Sequence, residues 1–233
     1  MTTSSEDDAN SEQSLWQQSL AEFRRDTATQ ATPGCGATAT VSAAFGLALV
    51  LKGLRITQQH ATDERRQALI EWGEQVNERL APCADEDVAA FEQFMAAIRK
   101  PQESESERET RRQAIDEAAG QATDIPLRAA EDCLEALALV EEALPLSDDM
   151  LKSDVRAGAL LLHGALSALL LNIDADLSGL RNPQQRARTA RHRRDLQREG
   201  DTMITRLGLP GGSTFDSSTR GYSRRRPPLP SRS

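Results

Sequence analysis

Apolar positions along this chain recur with helical spacing almost throughout. Leu15, Trp16, Leu20 and Phe23 fall on one face of a first helix over residues 14–30. The stretch Thr38 to Ile56 is apolar on nearly every side, which predicts a buried helix. Leu69, Trp72, Val76 and Leu80 form a stripe among charged residues, predicting a third helix from Thr62 that ends before Pro82. A fourth helix starts at Asp85 or Asp87, where a carboxylate can cap free N–H groups, and ends near Pro101. A fifth covers about Glu107 to Asp124. Pro126 is expected to break or kink it before a further helix runs to Leu144. The apolar run beginning at Asp154 and ending near Leu180 predicts the last core helix, and an Arg/Gln-rich helix from Pro183 to Leu207 closes the folded part.

No segment alternates with the period of a strand. Aromatics are only 3% of residues, which also disfavours sheet. The expected fold class is therefore all-α: a single helical bundle domain over residues 14–207, with two nearly wholly apolar central helices. Helices apolar on all sides must bury more than one face, which in a chain of this size points to a homodimer. Residues 1–13 and 208–233 have little to bury and are expected to be disordered.

Charge refines this picture. The net charge is −8, yet residues 181–233 hold 13 Arg against 4 acids. An acidic body thus carries a basic Pro/Arg tail, which includes an Arg-x-x-Pro-x-x-Pro segment, Arg224 to Pro230. Tyr222 is the tail's one aromatic beyond Phe215, so base stacking is scarcely available and nucleic acid is not the expected partner. No apolar leader occupies residues 1–13. The 17-residue run Ala157 to Ile173 contains His163 and two glycines, and reads as a buried helix rather than a membrane span. Cys35, Cys83 and Cys133 lack metal-ligand spacing and read as reduced thiols of a cytoplasmic protein.

Candidate chemistry begins at Pro33-Gly34-Cys35-Gly36, a tight turn heading an apolar helix whose free N–H groups can hold an anion or a carbonyl oxygen. Asp85-Glu86-Asp87-Val88-Ala89-Ala90-Phe91 follows about 50 residues later. Then come Lys100-Pro101, Arg111, Pro126-Leu127, Ser153-Asp154 and Asn172. In order and spacing these resemble the cyclodeaminase/cyclohydrolase family of folate enzymes. That family includes the C-terminal domain of formiminotransferase-cyclodeaminase and the stand-alone methenyltetrahydrofolate cyclohydrolases. The resemblance covers about Leu15 to Asp176.

It implies a dimeric helical protein that acts on the one-carbon bridge of tetrahydrofolate by acid/base chemistry, as cyclohydrolase or cyclodeaminase. It implies no metal and no cofactor beyond the tetrahydrofolate substrate, and it admits a separate formiminotransferase as partner. Asp154, Asp87 and His60 are the catalytic candidates this carries over. Gly34, Cys35, Gly36, Thr57, Asp85 and Asn172 are the substrate-binding candidates. Each acid is equally placed to cap a helix, and Cys35 at a helix start reads either as an inert thiol or as one with a lowered pKa. His163, among leucines, reads as a satisfied core histidine.

The chain departs from the family pattern at several positions. Cys35 and Ala37 stand in the glycine turn, Gln59-His60 follow Thr57 where Gly-Lys is expected, and Asp176 stands where a second Asn is expected. The alternative reading is a catalytically impaired folate-binding or subunit-interaction module of the same fold.

Overall fold

The computed structural model describes residues 14–211. The expectations for residues 1–13, and for the tail beyond 211, lie outside the described residues. Helices are α1 (Leu20–Thr29), α2 (Cys35–His60), α3 (Glu64–Leu80), α4 (Cys83–Ile98), α5 (Glu105–Ala143), α6 (Lys152–Asp176) and α7 (Pro183–Arg206). No strand occurs among the described residues, so the all-helical bundle stands.

At the centre α2 and α6 run antiparallel. The start of α2 meets the end of α6, where the Cys35 thiol donates to the Ala168 carbonyl (3.6 Å). The end of α2 meets the start of α6, where Lys52 pairs with Asp154 (2.6 Å). The two backbones nearly touch midway. A Cβ on Gly46 would lie 2.9 Å from the Gly158 carbonyl oxygen, and one on Gly158 would lie 2.5 Å from that of Gly46. Only glycine at both positions permits this crossing, which lets Leu47, Val50, Leu162 and Leu166 close completely around it. Both helices are long and apolar enough to cross a membrane by length and composition, and much of each is buried inside the body.

Neither helix is buried all round, however. Phe45, Leu160, Leu161 and Leu171 are 47%, 38%, 43% and 63% exposed, while Lys52 and Arg55 also face outward from α2.

Three expected boundaries change. α4 starts at Cys83, directly after Pro82 and with no side-chain cap, so neither Asp85 nor Asp87 caps it. The first helix is not continuous from 14 to 30. A short 3-10 turn (Leu15–Gln17) precedes α1, which opens on a capping box made by Ser19 and Glu22. That box satisfies the N–H groups locally and ends the preceding turn, so Trp16 and Leu20 stay exposed instead of sharing a buried stripe. Pro126 does not divide the fifth helix, because α5 runs 39 residues with Pro126 buried inside it. The missing N–H costs roughly 3 kcal/mol in an isolated helix. Here the turns on either side are held by completely buried Ala129, Ala130 and Cys133 and by the hidden Thr123, so packing outweighs the break.

Ser147 and Arg66 close the end of the bundle opposite the glycine turn. Buried Arg66 donates to the carbonyls of Leu146 (2.9 Å) and Ala61 (2.6 Å) and to the Gln58 side chain (3.0 Å). His163 is buried as expected, with Nε2 paired to Asp201 (2.8 Å), which also accepts from Gln197 (2.9 Å) and so ties α7 to α6.

Candidate functional site

The glycine turn, α4, α5 and the end of α6 enclose a cavity of about 390 Å³, within the range of small-molecule sites. Gly34 and Cys35 form one wall. Asp87, Phe91 and Phe94 come from one face of α4, Ala119 and Ala122 from α5, and Asn172 and Asp176 from successive turns of α6. Small residues on α5 leave the volume open, and the two phenylalanines make it largely apolar.

Asp87 is the organising group. Its Oδ2 accepts the Ala37 amide hydrogen (2.9 Å), so it caps α2 from outside the helix. The close approach depends on Gly36, where a Cβ would lie 2.0 Å from Asp87 Oδ1. Burial raises the Asp87 pKa above the ordinary carboxylate value, and the Ala37 hydrogen bond opposes that rise. Asp176 is pushed up to about 6, first by burial and then by the Asp87 charge. Two carboxyl groups therefore share one cavity with unequal hold on a proton, the pattern that divides acid from base.

The glycine turn offers a ligand less than the sequence suggests. The Ala37 amide is taken by Asp87, and the Thr38 amide by the Gly34 carbonyl (3.1 Å). The Gly34, Cys35 and Gly36 amides have no acceptor among the described residues. Cys35 is no activated thiol, because burial and then the Asp87 charge raise its pKa.

The structure separates the remaining candidates from this cavity. Asp85 faces the N-terminal segment, accepting from the Ser14 hydroxyl (2.7 Å) and the Leu15 amide (2.7 Å). Thr57 is buried at the other end of α2, donating to Gly53 (2.8 Å) and accepting from the Asp148 amide (3.0 Å). His60 is exposed and pairs with Asp148 (2.7 Å). At 1.5 Å per residue, His60 lies about 37 Å along α2 from Cys35, and Asp154 about 27 Å along α6 from Asn172. Asp154 and Asn172 share a helix but lie at its opposite ends. Arg112 and Arg128 are paired with Glu109 and Glu86, while Arg111 donates to the Ile98 carbonyl.

Phe94 and Asp176 are the cavity residues that sequence reasoning did not select. The signal was present in the spacing. Asp87, Phe91 and Phe94 stand at i, i+4 and i+7, and Asn172 and Asp176 at i and i+4, which puts each set on one helix face.

Comparison with known proteins gives a consistent result. Residues 19–195 match the family model described as formiminotransferase-cyclodeaminase. The chain is 29% identical over 153 residues to the methenyltetrahydrofolate cyclohydrolase of Methylorubrum extorquens, covering 64% of this chain and 74% of that protein. It is 26% identical over 201 residues to the formimidoyltransferase-cyclodeaminase of Sus scrofa, covering 84% of this chain but only 37% of that relative's length. The fold matches the crystal structure of formiminotetrahydrofolate cyclodeaminase from Thermotoga maritima with a TM-score of 0.70 at 22% identity, over 83% of this chain and 95% of that one.

Proposed function

The chain belongs to the formiminotransferase-cyclodeaminase family, and from that premise we propose that it is a folate one-carbon enzyme, a methenyltetrahydrofolate cyclohydrolase or formiminotetrahydrofolate cyclodeaminase. The observation that carries this reading is the cavity at the glycine turn, with Asp87 and Asp176 facing one apolar space. Both reactions move protons at nitrogen while a tetrahedral carbon forms and collapses. Asp87, fixed by Ala37, serves as the base and electrostatic partner of the reacting carbon. Asp176, whose carboxyl pKa is raised to about 6, takes up a proton as the reaction proceeds and hands it to the departing nitrogen. Asn172 supplies an amide that hydrogen-bonds the heterocycle, and Phe91 and Phe94 pack against its faces.

The test is the decay of the methenyl absorbance of 5,10-methenyltetrahydrofolate, with ammonia release from the formimino substrate as the parallel assay. Wild-type protein should accelerate one of the two, and Asp87→Asn should lower that rate by a factor of about 10² or more. Full activity in Asp87→Asn would remove the residue from the mechanism.

The protein acts as a homodimer in this reading. The support is the set of exposed apolar side chains on the α2–α6 pair, Phe45, Leu160, Leu161 and Leu171. Light scattering should give twice the chain mass, and Leu161→Asp should halve it. A monomeric wild type would overturn the dimer without touching the cavity.

A further inference from the structure

The cavity holds two carboxyl groups, two phenyl rings and no basic side chain. The charged groups around Asp176 can be followed element by element. α2 contributes Cys35 and α4 contributes Asp87. α5 presents uncharged Ala119 and Ala122. The nearby guanidinium groups are engaged elsewhere. Arg181, beyond the end of α6, pairs with Asp116 of α5 (2.8 Å), and Arg193 of α7 pairs with Asp174 (2.8 Å). No hydrogen-bond donor of the described chain reaches the Asp176 carboxyl. Asp87 receives one amide hydrogen, on Oδ2. The recess thus joins two carboxyl groups to aromatic faces.

We infer that the cavity selects a planar amidinium cation over neutral analogues of the same shape and releases a proton when that cation enters. A flat N–C–N cation can lie between the phenyl faces and direct its N–H bonds or its charge at the two carboxyl groups. Burial, and after it the Asp87 charge, favours a protonated carboxyl in the cavity below about pH 6. Asp176 is the holder, with its pKa pushed up to about 6 by burial and by Asp87. Entry of a cation replaces that proton, which passes to solvent. The bound state is one cation between two carboxylates, and charge is conserved. Below about pH 6 each cation bound expels one proton, so its association constant climbs with pH; above that value the slope vanishes. This rests on the reading of the cavity as the one-carbon site, because both the methenyl bridge and a protonated formimino group are amidinium cations, whereas a formyl group is neutral.

The test uses calorimetric titration with benzamidinium and with neutral benzamide, from pH 5 to 8 and in buffers of differing ionisation enthalpy. 5,10-Methenyl- and 5-formyltetrahydrofolate are then titrated over the acid part of that range. Benzamidinium should bind at least about tenfold more tightly than benzamide, and its constant should rise about fivefold from pH 5 to pH 6. In Asp176→Asn the cation should still bind but the slope and the proton release should disappear. The inference is overturned if benzamidinium binds no better than benzamide, or not at all, or if Asp176→Asn keeps the slope. It is equally overturned if the methenyl and formyl folates bind alike. If benzamidinium behaves as expected while neither folate binds, cation selection stands and the one-carbon assignment falls.

Discussion

Replacing Gly36 by alanine tests the construction of the cavity at its tightest point. The new Cβ would sit 2.0 Å from Asp87 Oδ1, 2.5 Å from its Cγ and 2.8 Å from Oδ2. Ordinary contact needs more than 3 Å, so the carboxyl group must retreat by more than 1 Å. Asp is too short to do so and keep its 2.9 Å hydrogen bond from Ala37. Losing a hydrogen bond to a charged acceptor costs about 1.5–3 kcal/mol. Alanine recovers about 0.5–1 kcal/mol through its higher helix propensity. The net loss is about 1–2 kcal/mol, which lowers the melting temperature by roughly 2–8 °C in a domain of this size. Withdrawal of the Asp87 charge also relaxes Asp176, so its carboxyl titration midpoint should fall below that of the wild type.

Thermal unfolding and carbon-detected NMR of carboxyl groups read the two effects separately. Gly34→Ala is the control, since a Cβ there meets nothing within 4 Å and φ is −92°. Combining Gly36→Ala with Asp87→Ala removes the clash and should show strong non-additivity. A Gly36→Ala protein that melts at or above the wild-type temperature, with an unchanged Asp176 midpoint, would refute the reasoning.

Four further outcomes are expected. Asp176 binds its proton more tightly folded than unfolded, so its contribution weakens stability as pH rises from the unfolded value near 4 through about 6. Asp176→Asn should therefore stabilise by roughly 1–2 kcal/mol at pH 8, after allowing for solvent screening, and by almost nothing at pH 4; an equal effect at both would contradict the shift. Alkylation by iodoacetamide should be slow at Cys35 at neutral pH and faster in Asp87→Asn, with Cys83 and Cys133 protected by burial; rapid labelling of wild-type Cys35 at pH 7 would show the thiol to be activated after all. Arg66→Met strands the Leu146 and Ala61 carbonyls and should cost about 2–4 kcal/mol in urea unfolding; a loss below about 0.5 kcal/mol, the level of a surface mutation, would show the buried guanidinium to be dispensable. Gly158→Ala pushes apart the α2–α6 crossing and should cost about 1–3 kcal/mol despite the better helix former; a gain in stability would mean that the crossing can slide.

The apolar periodicity of the chain was enough to determine its helices and their rough order, because burial of a helix face is written locally as spacing. The motif order likewise carried the family. The sequence marked Asp87 and Gly36 but not their contact, since the 2.9 Å bond to Ala37 joins residues 50 positions apart. Pro126 predicted a break that does not occur, because a local penalty is outweighed by neighbours that the local sequence does not name.

The grouping of the site residues was decided by tertiary structure alone. Asp154, Thr57 and His60 belong by motif with the glycine turn, yet they lie at the far end of two antiparallel helices, and helical rise fixes that distance. Asp176 stood in the sequence as a departure from a pattern. Its burial in the cavity, beside Asp87, raises its pKa to about 6. Charge, burial and proximity act together there, and proximity is the one quantity that a linear sequence does not contain.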